Sequence, residues 1–376
     1  MATQQRLQWV DALRGLCVLG VVLYHVTLWD FVPAVGADGV GTDALISEVW
    51  DRGNRFLGVV RMPVLLAISG YLVSNRLLQG RRSPAPFVRG ANSYYLYLVW
   101  TAVLAVFYLV MARPDLPHEF SGVSATALEL VMPTTPLWFI FALAVYAVTF
   151  PFLAGIRPWI VVAGLGLASW AALIMGEQVM PLKVVSGAVF FGIGVFLAPQ
   201  LTALTERTSL RRAILFGLGV MVTYGITGLS LPAPVDRLAS LLVAVLAVCF
   251  AFTVIGPVVR RFRRTGVGAA WIGRRTLEVY VLHVPMVLVI HVFADQVAQG
   301  FHAVHLIVIE PLVTTAAVVA AALLLRKGAS VLRLNWMFVP PIALGALVTS
   351  AHKRITASIR PASNEDPASA GTRNSV

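Results

Sequence analysis

Apolar runs of about twenty residues alternate along this chain with short polar breaks. Ten such runs can be drawn, at 8–29, 56–77, 91–112, 134–153, 159–175, 182–199, 213–230, 238–259, 277–294 and 305–325. A helix needs roughly 20 mainly apolar residues to cross a hydrocarbon core about 30 Å thick, so the runs predict transmembrane helices. An eleventh apolar stretch, 335–350, contains Pro340–Pro341 and is followed by His352, Lys353 and Arg354. A full crossing there would strand those charges on the wrong side, so this stretch is expected to lie at the interface or to re-enter. Residues 351–376 turn polar, with Pro, Ser and Asn, and are expected to form a disordered cytoplasmic tail. The organisation expected is one transmembrane domain, 1–350, and that tail. No inverted internal repeat of the transporter kind is visible.

The breaks differ in sign. The second ("QGRRSPAPFVRG"), sixth ("ERTSLRR"), eighth ("RRFRRTGVGAAWIGRRT") and tenth ("RKGASVLRL") are basic, whereas the first and third carry acidic residues, the fifth Glu177 and the ninth Asp295. Cytoplasmic loops are the ones enriched in Lys and Arg. The even-numbered breaks, and the N-terminus with them, are therefore expected in the cytoplasm. The fold expected is an all-α polytopic bundle of about ten transmembrane helices in a bacterial plasma (inner) membrane.

Composition agrees. Hydrophobic residues make up 58% and charged ones only 12%, with a mean hydropathy of +0.82; soluble domains carry about 25% charged residues. The net charge of +12 would suggest nucleic acid in a soluble protein, but here the basic loops account for it, and no nucleic-acid partner is expected. Cys17 and Cys249 both sit in apolar runs and do not read as an exported disulfide framework. The first run bears Arg14 and lacks a small-residue cleavage site, so it reads as an uncleaved first span.

That first run, "WVDALRGLCVLGVVLYH", holds the chemistry. Arg14 and His25 are eleven residues apart. At about 100° per residue this is three turns and roughly 20°, so both lie on one helix face, separated by about 16 Å of rise. Asp11 is three residues before Arg14 and within reach of it. Ionisable groups in a span are costly and usually face a cavity or mark a pathway. The bland readings are that Arg14 snorkels to the headgroups with Asp11 neutralising it, and that His25 bonds a neighbouring helix. The sharp reading is a cytoplasmic anionic cofactor docked at Arg14 with a thin arm reaching His25, the shape of coenzyme A.

"LQWVDALRGLCVLGVVLYHV" resembles the first-helix signature of the acyltransferase-3 family, integral-membrane enzymes that transfer acyl groups, often acetyl, to sugars and lipids of bacterial envelopes. Asp11, Arg14 and His25 match its Asp, its Arg and the His that follows after ten residues. "RMPVLLAISGYLVSNRLL" (61–78) is similar to the family's second helix, "PLWFIFALAVYAVTFP" (136–151) to its "LWFL…Y" helix, and "IGRRTLEVYVLHVPMVLV" (272–289) to its "lGxxSLxxYLxH.P" segment ending in His283. The resemblance implies an acyl-CoA donor, most simply acetyl-CoA, and an envelope glycan or glycolipid as acceptor. One departure is visible. Where the family commonly has two arginines three residues apart after the second helix, associated with holding the donor, this chain has Arg89 and Asn92, with Arg81 and Arg82 as loosely aligned substitutes.

The expected catalytic residues are His25, as general base or as acyl carrier, and Asp11, as the orienter of Arg14. Expected donor ligands are Arg14 and Arg89, and then Arg274 and Arg275, which topology alone would also explain; Glu278 is placed to pair with Arg275. His283 and Glu310 are candidate substrate contacts, although His283 could be a plain interhelical hydrogen bonder and Glu310 could sit cheaply at the outer interface. His302 and His305 lack a carboxylate in register, and no metal site is expected. Trp138 reads as packing or an interface anchor, and Gly15, Gly20 and Gly70 as places of close helix contact. The rival class is a transporter or flippase for a lipid-linked sugar, and a third is a silent envelope scaffold. Acceptor, acyl group and oligomeric state are not written in the sequence.

Overall fold

A computed structural model describes residues 2–32, 42–113, 115–118, 120, 122–176, 180–303 and 306–359. Among them there is no strand. The first helix, α1 (Ala2–Val26), runs into a π turn at Thr27–Phe31. It is followed by α2 (Thr42–Leu77), α3 (Ala85–Met111), the short α4 (Gly122–Glu129), α5 (Trp138–Thr149), α6 (Pro158–Met175), α7 (Met180–Phe196), α8 (Ala198–Glu206) and α9 (Leu210–Thr227). The chain closes with α10 (Ala233–Arg261), α11 (Arg263–Gly273), α12 (Thr276–Val292), α13 (Ala294–Ala303), α14 (Glu310–Val331) and α15 (Ile342–Ile359).

Seven of these helices are long and apolar enough to cross a bilayer, and two bent pairs raise the number to nine. The pairs are α7 with α8, bent by 71°, and α11 with α12, bent by 75°. The fold is the expected all-α membrane bundle, with seven to nine candidate spans where ten were expected. The shortfall is the run at 134–153. Its helix and following 3-10 turn cover only Trp138–Phe152, about 22 Å at 1.5 Å per residue. α5 begins at the wall of a cavity, and the 3-10 turn that follows it sets Phe152 against Phe87 at the start of α3.

The path of the chain sets two ends. α1 and α2 are antiparallel, since Asn54 Nδ2 donates to the Tyr24 carbonyl and Gly20 lies beside Arg61. The end of α2 therefore returns to the side where α1 begins. We call this the near face and the opposite one the far face. Small residues let the backbones touch. A Cβ on Gly15 would sit 2.0 Å from the Ala269 carbonyl oxygen of α11, and one on Gly70 2.2 Å from the Phe191 oxygen of α7. At Gly20 the nearest atoms are 3.8 Å away, ordinary contact, so no close approach depends on that glycine.

Two sequence expectations need correction. The eighth break is not a loop. Gly266, Ala269, Ala270 and Gly273 are buried on α11, Ala269 and Gly273 against α1 and Gly266 against Val259 of α10, and a polar count hides such small residues among arginines. The boundary at 350 also falls inside α15, which stays helical to Ile359, because Ala, Ile and Thr continue beyond the charged triplet. Residues 360–376 lie outside the described residues. The apolar stretch from 335 folds onto α3, with Trp100 Nε1 donating to the Met337 carbonyl at 2.8 Å and Tyr95 Oη to the Trp336 carbonyl at 3.2 Å.

Candidate active site

His25 ends the last turn of α1, and its ring is 8% exposed. His283, in the middle of α12, is fully buried. The two rings meet with His283 Nε2 3.2 Å from His25 Nδ1. Their partners fix the protons. A carbonyl oxygen only accepts. His283 Nδ1 lies on the Tyr280 carbonyl, so in the neutral ring that nitrogen donates and Nε2 keeps its lone pair. His25 Nδ1 faces this lone pair and also the Val21 carbonyl at 2.9 Å. Both neighbours demand a donor. His25 Nδ1 therefore carries the proton, assigned here from the network, and His25 Nε2 is the basic nitrogen. Trp29 and Tyr24 flank the ring, with centroids 4.5 and 5.0 Å away.

His25 lines a cavity of about 640 Å³ on the far side of the bundle, together with Trp29, Arg61, His118, Trp138 and Tyr280. Its wall is drawn from the close of α1, the middle of α2, the loops before α5, the end of α6, the first part of α7, the beginning of α10 and Tyr280 of α12. Glu129, at the end of α4, shapes one wall. Its carboxylate accepts from the backbone N–H of Thr134 at 2.7 Å and of Thr135 at 3.0 Å, and holds that loop against the cavity. His118 sits in the loop after α3 at φ 58°, in the left-handed region that histidine enters more readily than most residues. Burial, and then the nearby Lys183 ammonium, pull its pKa below the ordinary imidazole value.

Arginines gather at the near face. Arg76, from the end of α2, and Arg89, from the start of α3, line a second pocket of about 340 Å³ with Asn92 and Thr349. Arg14 is within electrostatic range of Arg89. Asp11 and Glu278 lie within the same range of Arg14, but neither forms an ion pair with it among the described residues.

A family profile described as "Acyltransferase domain" matches residues 7–326 of this sequence. The chain belongs to the acyltransferase-3 family. It is also 34% identical over 70 residues to the inner membrane protein YcfT of Escherichia coli (strain K12), a match that covers 19% of each chain. No solved structure matches. As an acyltransferase-3 protein the chain is a multi-pass membrane protein of an acyl-transferring family.

The structure regroups the expected residues. His25 and His283 come together, but His283 does not line the cavity. Asp11 pairs with Arg274 across the α11–α12 corner at 3.7 Å rather than with Arg14, because helix packing sets its side chain against that corner. Arg275, at the corner before α12, folds back on the end of α11, donating to the Trp271 carbonyl at 3.0 Å and stacking 4.0 Å over that indole, and among the described residues it forms no ion pair with Glu278. Arg81 and Arg82 are exposed in the turn after α2 and do not reach the Arg89 pocket; Arg76 stands there instead. Arg14 lines neither pocket.

Glu310 is 4% exposed, not at an interface. It accepts from Thr314 Oγ1 at 2.8 Å, while Asp30, also buried, faces His291 at 3.5 Å. Neither carboxylate lines the cavity. The start of α14 packs on the π turn after α1, and this is what covers them. His302 pairs with Asp43 at 3.4 Å, and no metal-binding cluster occurs among the described residues; His305 is outside them. Trp138 is buried on the cavity wall. The sequence reading missed Arg61, a buried cation two residues before Pro63 in the middle of an apolar run. Its position alone was a signal, since charge inside a span is rarely idle.

Proposed function

We propose that this protein is an O-acyltransferase of the bacterial plasma membrane. It takes an acyl group, acetyl in the simplest case, from cytoplasmic acyl-CoA at the near face. It delivers that group to a hydroxyl of an envelope sugar or glycolipid in the far cavity. The observation that carries this reading is His25: an imidazole on the floor of a large cavity, with its Nδ1 proton committed to Val21 and His283 and its Nε2 lone pair left for chemistry. The near-face group of Arg14, Arg76 and Arg89 supplies cations for the phosphates of CoA, and guanidinium forks suit phosphate geometry.

In the step we propose, His25 Nε2 removes the proton of the acceptor hydroxyl, and the oxygen attacks the thioester carbonyl. The C–S bond breaks, the new C–O bond stays with the acceptor, and the imidazolium returns its proton to the thiolate of CoA. Val21 and His283 hold the ring throughout, so the base does not have to find its tautomer or its angle. The same lone pair would serve a histidine that carries the acyl group itself; quenching one turnover of radiolabelled acyl-CoA separates the two, since only the second leaves label on the protein.

The deciding experiment is transfer of label from radiolabelled acetyl-CoA to membrane glycans and glycolipids. His25→Ala should abolish it while the protein still inserts, and wild-type transfer by that variant would remove the assignment. A transporter or flippase would leave no label on any acceptor.

A further inference from the structure

The far cavity has charges of one sign only. Its described wall contains His25 and His118 and the cations Arg55, Arg61, Lys183 and Arg237, and no Asp or Glu. Two of these cations are balanced outside the wall, Arg55 by Asp51 at 2.5 Å and, more loosely, Arg237 by Asp236 at 3.9 Å. Arg61 is not. It is 8% exposed and has no ion pair among the described residues. A buried charge without a counter-ion is costly, and cations inside a bilayer are paired or mark a substrate path.

Arg61 is nevertheless held firmly. Its Nη1 donates to the backbone oxygen of Asn54 at 3.2 Å and to Asn54 Oδ1 at 3.1 Å. Its Cζ lies 3.9 Å over the Tyr24 ring, next in sequence to His25. A guanidinium has five N–H donors. Two are taken by Asn54, which leaves Nε–H and both protons of Nη2 without a partner among the described residues, on a side chain that lines the cavity. Gly58 lies beside Nη2 on the cavity wall, with the position of a Cβ there 3.4 Å away, ordinary contact. Pro63 removes the helical hydrogen bond to the Val59 carbonyl on the same wall. The arrangement is a guanidinium fork held by neutral groups, with its remaining donors on a side chain that lines the cavity. Tyr24, Trp29 and Trp138 supply flat apolar faces around it, as a sugar ring requires.

We infer that the acceptor is itself anionic: a sugar bearing a carboxylate or phosphate group that Arg61 binds while His25 Nε2 meets the neighbouring hydroxyl. This rests on the acyl-transfer reading and adds the chemical class of the acceptor. CoA does not account for Arg61, because its phosphates belong to the near-face arginines, on the opposite side of the bundle. The anion can come from an acidic glycan or from the phosphodiester of a glycolipid headgroup, and the two sources share this chemistry.

The test uses the full chain in detergent, or in vesicles for the lipid probe. The soluble probes are methyl glucoside, which is neutral, and methyl glucuronide and methyl glucoside 6-phosphate, which are anionic. The lipid probe is phosphatidylinositol, with neutral glucosyl diacylglycerol as its control. Each is measured twice, by calorimetric binding and by label transferred from acetyl-CoA. We expect the anionic member of a pair to win by about tenfold or more, the scale of one charge-assisted hydrogen bond. Preference among the soluble sugars points to an acidic glycan, and preference seen only in vesicles points to a lipid phosphate. Arg61→Gln should collapse the preference and Arg61→Lys should keep most of it, which separates loss of charge from failure to fold. Equal binding of neutral and anionic probes, or a preference untouched in Arg61→Gln, overturns the inference. Charge-selective, Arg61-dependent binding without any label transfer would support it and instead sink the acyltransferase reading.

Discussion

Replacing His283 isolates what the histidine pair contributes. His283→Leu keeps the volume and apolar surroundings of a fully buried side chain but removes the acceptor 3.2 Å from His25 Nδ1. The Val21 carbonyl, at 2.9 Å from the same nitrogen, remains. The tautomer of His25 is thus kept by one acceptor of the two, and what is lost is the second restraint on the ring. One hydrogen bond lost while its donor keeps another acceptor is worth about 0.5–1.5 kcal/mol, or about 2- to 13-fold in kcat if it acts fully in the transition state. Removing the base itself, in His25→Ala, should cost about 10² to 10⁴. The order expected is wild type, then His283→Gln, whose amide oxygen can still accept, then His283→Leu, then His25→Ala.

The assay is initial rate of label transfer against acyl-CoA concentration in reconstituted vesicles. Because His283 touches neither pocket, KM for acyl-CoA should stay within about twofold of wild type while kcat falls. A purely packing role would instead lower the yield of folded protein and leave kcat per folded molecule intact. The reasoning fails if His283→Leu matches wild type in kcat, if His283→Gln rescues nothing relative to Leu, or if the loss appears in KM.

Other expectations follow from the same geometry. Arg76→Gln and Arg89→Gln should each raise KM for acyl-CoA by about tenfold, whereas Arg81→Gln and Arg82→Gln should leave it unchanged in the same rate measurement. Gly15→Ala places a methyl group 2.0 Å from the Ala269 oxygen and must part α1 from α11; a loss of about 1–3 kcal/mol or more should appear as a lower midpoint in thermal unfolding, and Gly20→Ala should be near neutral. Asp11→Asn should change stability by less than about 1 kcal/mol, since its partner Arg274 is 53% exposed and 3.7 Å away. Cysteines placed at Arg211 and at Asp115 should react with a membrane-impermeant maleimide from opposite sides of the membrane, Asp115 from the outside; labelling of both from one side would overturn the topology.

What was legible in the sequence was whatever a local pattern could carry. The hydrophobic runs marked nearly all the spans, and the spacing of Arg14 and His25 marked one face of one helix. The run at 134–153 was read too long because hydropathy cannot tell a helix that crosses lipid from one that begins at a cavity, and Trp138 suits both. The α11 helix was hidden because its packing surface is four small residues among arginines, and smallness adds little to any apolar count. The partners of Asp11, Arg275 and Glu310 were misjudged for a common reason. Each was assigned to a neighbour three residues away or to the nearest interface, whereas the partner or cover is set by which helix packs alongside.

The separation of the two cation groups bears on how the enzyme would work. Arg14, Arg76 and Arg89 gather at one end of the bundle, Arg61 and Lys183 face the cavity at the other, and His25 stands between, about 16 Å along α1 from Arg14. The stretch of α1 that separates them, Cys17, Val18, Val21 and Val22, is packed in the core. Val21 also lines the far cavity, so Cys17, Val18 and Val22 are what lies along α1 between that cavity and Arg14. An anionic donor held at one end and an anionic acceptor at the other would repel each other in free solution, yet here each has its own cations. α2 serves both ends, with Arg61 at the far cavity and Arg76 at the near pocket, while α1 carries His25 to the far cavity. If the acyl group reaches His25 along α1, a bulky side chain at Val18 or Val21 on the His25 side of α1 should block transfer while leaving acyl-CoA bound at the near face. Retained transfer in such variants would mean that the thioester reaches His25 by another route.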